Sequence, residues 1–382
     1  MNSEKKFKVA IVNRMIPHYR RDFFCRLKSA LEEKNISLIL LYGQPEYRDA
    51  LKNDSIDMEW GIKVPSKIVK IGHNSLYWQP VLPYLRDIDL VIVEQASKLL
   101  INYVLLLRNR LGVQKLAFWG HGRNFQETSI NQLGEWIKRQ VSTKVHWWFA
   151  YNEMSAAVVR EMGYPAERIT VVQNAVDTRF FANAYQNLSL EEIKLVQEEL
   201  NLKSRNVGIY AGGLYAEKRL PFLLKCIQLI HQRVPDFEMI FIGDGEDTPL
   251  IKQAAEQCSW IHYVGTKFDR EKVPYYAVSK LFLMPGMVGL GILDTFAMET
   301  PLITTQSPLH SPEISYLENG VNGIMISDTD NPQLYADRVI QLINNPSEYN
   351  YLVENCRKSW GKYTIENMVK NFADGVELAL EK

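Results

Sequence analysis

Short apolar runs alternate with amphipathic segments along the whole chain, and this alternation limits the possible folds more than any other feature. Each run has the length of a strand that is covered on both faces, and the segments between runs have the spacing of crossover helices. The pattern therefore predicts parallel β-sheets of the α/β class. The runs are residues 7–12, 36–42, 68–71, 90–93, 116–119, 147–151 and 169–172 in the first half, and 207–210, 239–242, 261–264, 281–284, 302–304 and 323–326 in the second.

The chain has 382 residues, more than a single core of about 150 residues accounts for. We expect an N-terminal Rossmann-like domain over residues 1–183 and a C-terminal one over 207–358. Residues 184–206 are interpreted as a linker with its own helix, because Ser189 and Glu192 form a capping-box pattern. Residues 359–382 are expected to form a helical segment that packs back on the first domain.

The charge balance and the cysteines exclude several classes of protein. Lys plus Arg equals Asp plus Glu, 44 against 44, so the chain lacks the general basic field of nucleic-acid-binding proteins. The four cysteines lie far apart and form no C-x-x-C pair, which disfavours a zinc site and a disulfide framework. Together with an N-terminus that has only a short apolar run, this favours a cytoplasmic protein.

A glycine-rich loop at residues 285–291 follows an apolar run and precedes a short helix that carries Asp294. We expect the N–H groups of Gly289, Leu290 and Gly291 to be free at the helix start, where they favour an anion. The Asp294 carboxylate can accept hydrogen bonds from ribose hydroxyls. The block therefore predicts a site for a nucleotide diphosphate.

Four blocks of the chain resemble the retaining glycosyltransferases of the two-domain GT-B type that carry an E-x7-E motif. The blocks are V-V-Q-N-A-V-D-T at 171–178, Y-A-G-G-L-Y-A-E-K-R at 210–219, F-I-G-D-G at 241–245, and 285–323 with Glu313, Gly320 and Gly323. The resemblance implies two Rossmann-like parallel-sheet domains that face a cleft, with ligands at the carboxyl ends of the strands.

The resemblance also implies roles for individual residues, and two positions depart from the family pattern. Asp294 takes the place of the second acid, which contacts the ribose, whereas Gly286 stands where the first acid is usual. Lys218 matches a lysine that holds the donor diphosphate; Gly213 replaces the usual arginine, and Arg219 is a candidate substitute. The alternatives are that Asp294 only matches the helix dipole and that Lys218 is a solvated loop lysine.

Further donor-side residues follow from the same loops. The resemblance implies that the 265–268 loop holds the base, largely through main-chain groups. The donor-binding candidates are Gly212, Gly213, Arg219, Gly243, Gly245, Thr266, Lys267, Phe268, Gly286, Val288, Gly289 and Leu290.

In the first domain, W-G-H-G-R-N at 119–124 places His121 on a glycine-flanked loop after an apolar run. The resemblance implies an active-site histidine in this region, and the alternative is a histidine bonded to the backbone. Arg123 and Asn124 are weaker companions. The loop after the first run lacks the family's Gly-Gly pair.

Arg14, His18 and Arg20, which follow the first run, are acceptor-side candidates. Equally, Arg20 and Arg21 can form the outer face of a helix whose apolar residues point to the core.

Residues 130–148 combine an apolar helical stripe with basic and aromatic residues. Such a stripe can seat a helix on an anionic membrane surface, although it more commonly belongs to the core. The first interpretation implies an association with the cytoplasmic membrane face.

The resemblance implies a glycosyltransferase that moves a sugar from a UDP- or GDP-sugar to a glycan or lipid-linked acceptor, and it alone implies that the configuration is retained. No cofactor and no metal ion is expected, because Asp87-Ile-Asp89 and Asp328-Thr-Asp330 are interpreted as structural. Two alternatives remain open: a catalytically degenerate binding or scaffolding protein, suggested by Gly286 and Gly213, and a sugar-nucleotide epimerase.

Overall fold

The computed structural model describes residues 7–45, 55–71, 74–122 and 141–382, which form two compact units. The first unit extends to Asn174 and also contains Ile365–Lys382, and the second is Ala175–Thr364. The first unit thus ends at Asn174 and not at the expected residue 183. Its C-terminal segment begins at Ile365 and not at the expected residue 359. Among the described helices, none combines the length and apolar character that a membrane-spanning segment requires.

Seven parallel strands of the first unit form one sheet with the order β3-β2-β1-β6-β7-β8-β9. Val12 of β1 lies opposite Leu41 of β2 on one side and opposite Val93 of β6 on the other. The strands of this unit are β1 (Phe7–Asn13), β2 (Ile36–Tyr42), β3 (Ile62–Lys63), β4 (Lys67–Ile71), β5 (Asn74–Trp78), β6 (Leu90–Glu94), β7 (Lys115–Gly120), β8 (Trp147–Ala150) and β9 (Ile169–Val171).

The placement of the 68–71 run in a parallel sheet is wrong. The corresponding strand, β4, pairs in antiparallel fashion with β5, which the sequence did not predict. Ile68 and Val69 are 37% and 50% exposed, whereas a strand in a parallel sheet is buried on both faces. The edge strand β3, which has only two residues, was also missed.

The second unit contains six parallel strands in the order β12-β11-β10-β13-β14-β15. After β12 the chain returns across the sheet, so that β13 pairs with β10. The strands are β10 (Val207–Ala211), β11 (Glu238–Ile242), β12 (Ile261–Tyr263), β13 (Leu281–Leu283), β14 (Leu302–Thr305) and β15 (Gly323–Ile326). The two parallel sheets confirm the predicted α/β architecture with two Rossmann-like domains.

Helices connect the strands in both units. The described α-helices are α1 (Arg21–Glu33), α2 (Ile101–Arg110), α3 (Glu153–Glu161), α4 (Thr178–Gln186), α5 (Leu190–Glu199), α6 (Leu220–Arg233), α7 (Thr248–Gln257), α8 (Val273–Ala277), α9 (Gly291–Ala297), α10 (Pro332–Asn344), α11 (Pro346–Trp360) and α12 (Ile365–Glu381). Short 3-10 helices are His18–Arg20, Leu82–Leu85, Ala166–Arg168, Ala216–Lys218, Asp269–Lys272 and Pro312–Tyr316.

The predicted capping box is confirmed at the start of α5. The Ser189 hydroxyl accepts from the Glu192 N–H at 3.2 Å, and the Glu192 carboxylate accepts from the Ser189 N–H at 3.0 Å. Helices α4 and α5 both pack on α8, and α4 also packs on α9. These contacts place residues 178–199 inside the second unit rather than in a linker between the units.

The C-terminal helix α12 packs on α1 and on strands β8 and β9 of the first unit, as the sequence predicted. Phe372 stacks on Phe149 at 4.4 Å and meets Trp119 and Phe23 at 5.1 and 5.5 Å between ring centroids. These aromatic contacts make α12 part of the first unit's core.

Candidate functional site

The topology of the second sheet singles out the loops after β10 and β13. Because β11 lies on one side of β10 and β13 on the other, the loops that leave β10 and β13 diverge at this point. In open α/β sheets, ligands bind outside the carboxyl ends of the strands at such a switch point. The loops concerned are residues 212–219 and 284–290, which contain most of the donor-binding candidates.

Backbone hydrogen bonds interlock these loops with the loop after β11. The Gly212 N–H donates to the Ile242 carbonyl at 3.0 Å, and the Leu214 N–H donates to the Asp244 carbonyl at 2.9 Å. On the other side, the Met287 N–H donates to the Glu217 carbonyl at 2.9 Å. The three loops therefore form one hydrogen-bonded layer.

Glycines are required where the loops touch. Gly243 has a φ of +136°, and a Cβ there would collide with the backbone of Gly212. Gly245, with a φ of +156°, would likewise collide with the Leu214 backbone. The predicted turn at 243–245 therefore owes its two glycines to close backbone packing.

Gly286, where the family pattern has an acid, has no room for any side chain. A Cβ on Gly286 would fall within 3.0 Å of the carbonyl oxygens of Glu217 and Lys218. The 3-10 helix Ala216–Lys218 thus occupies the space that an acidic side chain would need. Gly213 differs, because the atoms nearest to its Cβ would belong to the side-chain ring of Tyr215, the first at 2.6 Å.

Lys218 is buried directly beneath the 284–290 loop, with a relative exposure of 6%. Its ammonium group donates to the Met287 carbonyl at 2.5 Å, and it lies 3.8 Å from the Met284 sulfur and 5.4 Å from the Tyr215 ring centroid. The alternative of a solvated loop lysine is therefore wrong. A buried ammonium group that holds this loop also gives it a positive charge.

Arg219, the candidate substitute for the missing arginine, contacts Asp330 and Phe222. Its guanidinium pairs with Asp330 at 2.6 Å and lies over the Phe222 ring at 4.5 Å. Asp330 belongs to an exposed turn in which the Asp330 N–H donates to Asp328. Both acids of the Asp328-Thr-Asp330 motif therefore take part in local contacts.

The loop that precedes α9 carries the three N–H groups expected at its helix start. Within the described part of the chain, the N–H groups of Gly289, Leu290 and Gly291 donate to no protein acceptor. The preceding N–H, that of Val288, donates to Nδ1 of His310 at 3.0 Å, and the Val288 carbonyl accepts from the Ser311 N–H. The loop is thus held through Val288, and the next three N–H groups have no protein acceptor within the described residues.

His310, which the sequence analysis missed, supports this loop as a neutral ring. Its Nε2 lies 2.7 Å from the Thr305 carbonyl, so Nε2 carries the proton and Nδ1 accepts from Val288. Burial lowers the pKa of His310, and the nearby Lys218 charge lowers it further. A histidine before a Ser-Pro pair is the only local signal, and it is a weak one.

Asp294 lies in the first turn of α9 and pairs with Lys272, another residue that the sequence analysis missed. The Lys272 ammonium is 2.6 Å from Oδ2 of Asp294, and each side chain is 15% exposed. Lys272 also lies 4.0 Å from the Phe181 ring centroid. Asp294 therefore takes part in an ion pair in addition to lying at the helix start, and among the described residues its Oδ1 has no hydrogen-bond partner.

The 265–268 loop follows β12 and is partly exposed. Gly265 has a φ of +70°, and its carbonyl accepts from the Gly243 N–H at 2.9 Å. The Phe268 N–H donates to Glu271 at 3.2 Å, and the Lys267 ammonium lies 5.5 Å from the Tyr275 ring centroid. The structure therefore joins this loop, with Thr266, to the loop after β11.

The first sheet has its own switch point between β1 and β6, and a carboxyl group lies there. Asn13 ends β1 and donates to the Glu94 carboxylate, which ends β6, at 3.0 Å. Loss of hydration raises the pKa of Glu94, an effect that the charges of Arg14 and Lys98 oppose. Glu94 was missed, although an acid that ends the apolar run L-V-I-V is a usable signal.

The remaining candidates of the first unit have different surroundings. Arg14 lies 5.4 Å from the Tyr77 ring centroid, and His121 packs edge-on against Tyr151 at 4.2 Å. His18 begins a short 3-10 helix and is half-buried. Arg123 and Asn124 lie outside the described residues.

Arg20 is 4% exposed, so its assignment to the outer face of a helix is wrong. Its guanidinium lies over the rings of Tyr19, Phe23, Trp119 and Tyr151 at 5.1 to 5.9 Å from the centroids. It donates to the Asn174 amide oxygen and, at 3.4 Å, to the Met368 sulfur. We therefore assign Arg20 to the core of the first unit, whereas the neighbouring Arg21 is exposed.

The described end of the 130–148 stripe, residues 141–148, contains buried side chains. Residues 123–140 lie outside the described residues, but Val145, Trp147 and Trp148 are buried, and both tryptophans belong to β8. A membrane contact through this end of the stripe is therefore wrong, because these side chains form the core.

The family match found among known proteins lies in the second unit. Residues 205–345 match the family model described as Glycosyl transferases group 1. Spore coat protein SA of Bacillus subtilis is 24% identical over 53% of this chain and 54% of its own length. Alpha-monoglucosyldiacylglycerol synthase of Acholeplasma laidlawii is 21% identical over 53% and 50%. The chain thus spans about half the length of these curated relatives.

A solved structure shares the fold of nearly the whole chain. HepE of Anabaena, crystallised with UDP-glucose, has a TM-score of 0.70 at 14% identity and covers 97% of this chain and 99% of its own. The fold is therefore that of the GT-B glycosyltransferases.

Among the described residues, no group of three or more His, Cys, Asp and Glu side chains is placed to hold a metal ion.

Proposed function

We propose that this protein transfers a sugar from a nucleotide-diphosphate sugar, UDP- or GDP-linked, to a hydroxyl of a glycan or lipid-linked acceptor, with retained configuration and without a metal ion. The observation that carries the proposal is the loop at the β10–β13 switch point. It combines the buried Lys218 with the N–H groups of Gly289, Leu290 and Gly291, within the segment that matches group 1 glycosyltransferases.

In the proposed reaction the protein stabilises the charge that leaves the sugar. The bond between the sugar C1 and the diphosphate oxygen breaks, while C1 forms a bond to the acceptor oxygen. The acceptor proton passes to the leaving diphosphate oxygen on the same face. Preorganised N–H groups and the ammonium of Lys218 lower the energy of that oxygen anion.

Other residues have binding roles in the proposal. Asp294, with Oδ2 fixed by Lys272 at 2.6 Å, presents Oδ1 to a ribose hydroxyl. The 265–268 loop holds the base through main-chain groups. In the first unit, His121 is a candidate for contact with substrate. The first unit binds the acceptor, with Arg14 and His18 as candidate contacts.

A donor screen followed by a turnover assay tests the proposal. One of the UDP-, GDP- or ADP-sugars is expected to raise the melting temperature, because a ligand of the native state stabilises it. Lys218→Ala is expected to lower nucleotide release by about 10²–10³-fold, and Asp294→Ala is expected to weaken donor binding. Lys225→Ala, which removes an exposed lysine of α6, is the matched control. Unchanged turnover in both site variants would exclude the assignment.

A second candidate function is a binding protein without turnover. Gly286 favours it, because the first acid of the family pattern is missing and the backbone leaves no room for one. Calorimetry that detects a nucleotide sugar, without nucleotide release in the presence of varied acceptors, would establish this function instead.

A further inference from the structure

Asp294, the acid of the proposed ribose contact, is shorter and more constrained than the glutamate of the family motif. An aspartate side chain has one methylene group fewer than a glutamate, so its carboxylate stays close to helix α9. The Lys272 ammonium donates to Oδ2 of Asp294 at 2.6 Å, and each side chain is 15% exposed. A short charge-assisted bond that is largely out of water holds both groups in one geometry.

Three elements of the second unit hold this ion pair. Lys272 ends the 3-10 helix Asp269–Lys272 immediately before α8, and Asp294 lies in the first turn of α9. Phe181 of α4 has its ring centroid 4.0 Å from the Lys272 ammonium. Because α4 packs on both α8 and α9, the pair lies between packed helices. The Lys272 ammonium cannot leave Asp294 without also losing its contact with the Phe181 ring.

The second carboxylate oxygen of Asp294, Oδ1, accepts no hydrogen bond from the described residues. Burial, and after it the charge of Asp294, raises the pKa of Tyr276 well above its ordinary value, so the Tyr276 hydroxyl is near Asp294. This hydroxyl is nevertheless buried without a hydrogen-bond partner among the described residues. Asp294 thus has one oxygen in an ion pair and one oxygen that a ligand hydroxyl can bind.

The number of carboxylate oxygens without a protein partner determines how many ribose hydroxyls Asp294 can bind. A ribose carries neighbouring hydroxyls at C2′ and C3′, and a carboxylate with both oxygens open can accept a hydrogen bond from each. Because Oδ2 is bonded to the Lys272 ammonium, only Oδ1 remains for this purpose. Loss of the hydroxyl that Oδ1 binds therefore weakens the ligand, whereas loss of the other hydroxyl does not.

We propose that Lys272 is a specificity-determining residue, which limits the donor site to one ribose hydroxyl by holding Oδ2 of Asp294. A nucleotide that lacks the other hydroxyl then binds almost as well as the ribonucleotide. Donors with one deoxy position in the sugar of the nucleoside therefore belong to the substrate class. Lys272 acts through Asp294 and is a positioning residue. This role rests on the proposed function, in which the second unit binds a nucleotide-diphosphate sugar.

Calorimetry of the whole protein with nucleoside diphosphates tests this role. The probes are UDP and GDP, each compared with its 2′-deoxy and 3′-deoxy forms. For the base that binds, one deoxy form is expected to lose about tenfold or more in affinity, and the other is expected to stay within about threefold of the ribonucleotide. An equal loss for both deoxy forms, or no loss for either, would overturn the proposal. Absence of binding by both UDP and GDP would instead contradict the proposed function and, with it, this role.

Two substitutions of Lys272 are expected to change the discrimination in opposite directions. Lys272→Met keeps an unbranched side chain beside Phe181 but releases Oδ2, so the second deoxy form is expected to lose about tenfold as well. Lys272→Arg can bind both carboxylate oxygens through a planar guanidinium, so both deoxy forms are expected to bind within about threefold of the ribonucleotide. Lys225→Met, which removes an exposed lysine of α6, is the matched control and is expected to behave like the wild type.

The ratio of affinities among the three sugar forms separates a role in binding from a role in stability alone. An ion pair that only joins α8 to α9 would change the melting temperature of the Lys272 variants and leave this ratio as in the wild type. That result would overturn the proposal, and the wild-type ratio decides the question even where a variant does not fold.

Discussion

The switch points of the two sheets differ in the kind of contact that holds their loops. At β10–β13 the loops are joined by backbone hydrogen bonds, and glycines occupy three positions, 243, 245 and 286, where a Cβ would collide with the backbone of a neighbouring loop. At β1–β6 the contacts are made by side chains, with Asn13 bound to Glu94 and the charges of Arg14 and Lys98 nearby. A backbone-built site leaves a glycine pattern in the sequence, whereas a side-chain-built site leaves only scattered polar residues.

The largest expected change in stability is at Gly286, where the loops after β10 and β13 meet. Gly286→Ala is expected to lower the free energy of unfolding by about 3 kcal/mol, because the added methyl group meets backbone atoms of Glu217 and Lys218. Gly289→Ala is the control, since its Cβ would have only ordinary contacts with Ser311, at 3.5 Å and beyond. Denaturant melts measure both, and equal stabilities would show that the loop is not close-packed.

The stability of the first unit is expected to depend on Arg20. Arg20→Ala removes a buried side chain that four aromatic rings and Asn174 surround, which is expected to cost about 2 kcal/mol of stability. Arg21→Ala, one residue further along and exposed, is expected to stay within about 0.5 kcal/mol of the wild type. Calorimetric melting of both variants decides whether the buried guanidinium stabilises the unit.

The stability that His310 gives to the 284–290 loop is expected to depend on pH. Burial lowers the pKa of His310 below its ordinary value of 6.5, so the unfolded chain takes up a proton first as the pH falls. The stability that neutral His310 contributes is therefore present above pH 6.5 and is lost as the pH falls from there toward the lowered pKa.

The expected slope is at most about 1.4 kcal/mol per pH unit. His310→Gln is the comparison variant, because glutamine can accept from Val288 without titrating. The difference in stability between wild type and variant, followed over pH, isolates this residue from other titrating groups. A difference that stays constant below pH 6.5 would contradict the assignment of a neutral ring.

The smallest expected change in stability is at Glu94. Since loss of hydration raises the pKa of Glu94, its charged form costs folding free energy near neutral pH. Glu94→Gln is therefore expected to leave stability unchanged or to raise it by up to about 1 kcal/mol, with a gain that shrinks as the pH falls through the raised pKa. A clear loss of stability near neutral pH would show that the carboxylate is needed for folding.

The sequence predicted those parts of the molecule that rest on local pattern. The L-V-I-V run became a central strand because it is apolar throughout, whereas K-I-V-K-I, with exposed positions on both faces, joined an antiparallel pair. The capping box at Ser189 and Glu192 spans three residues and was read directly.

Contacts between distant residues could not be predicted in the same way. Glu94 meets Asn13 across 81 residues, and His310 and Lys272 each meet a partner 22 residues away. The block at residues 210–219 identified Lys218, but it did not identify the Met287 carbonyl that Lys218 binds, 69 residues further on. Nor did the motif reveal that Gly286 lacks room for an acid, since that depends on a second loop.

The position of α12 also sets the order in which the two units can mature during synthesis. Phe372 and Met368, which complete the core around Phe23 and Arg20, leave the ribosome only after all of residues 175–364. The second unit, continuous in the chain, can fold while the first still lacks its last helix. Until α12 arrives, Phe149 lacks the ring of Phe372 that stacks on it. The nascent first unit therefore keeps part of its aromatic core uncovered until synthesis has passed residue 372.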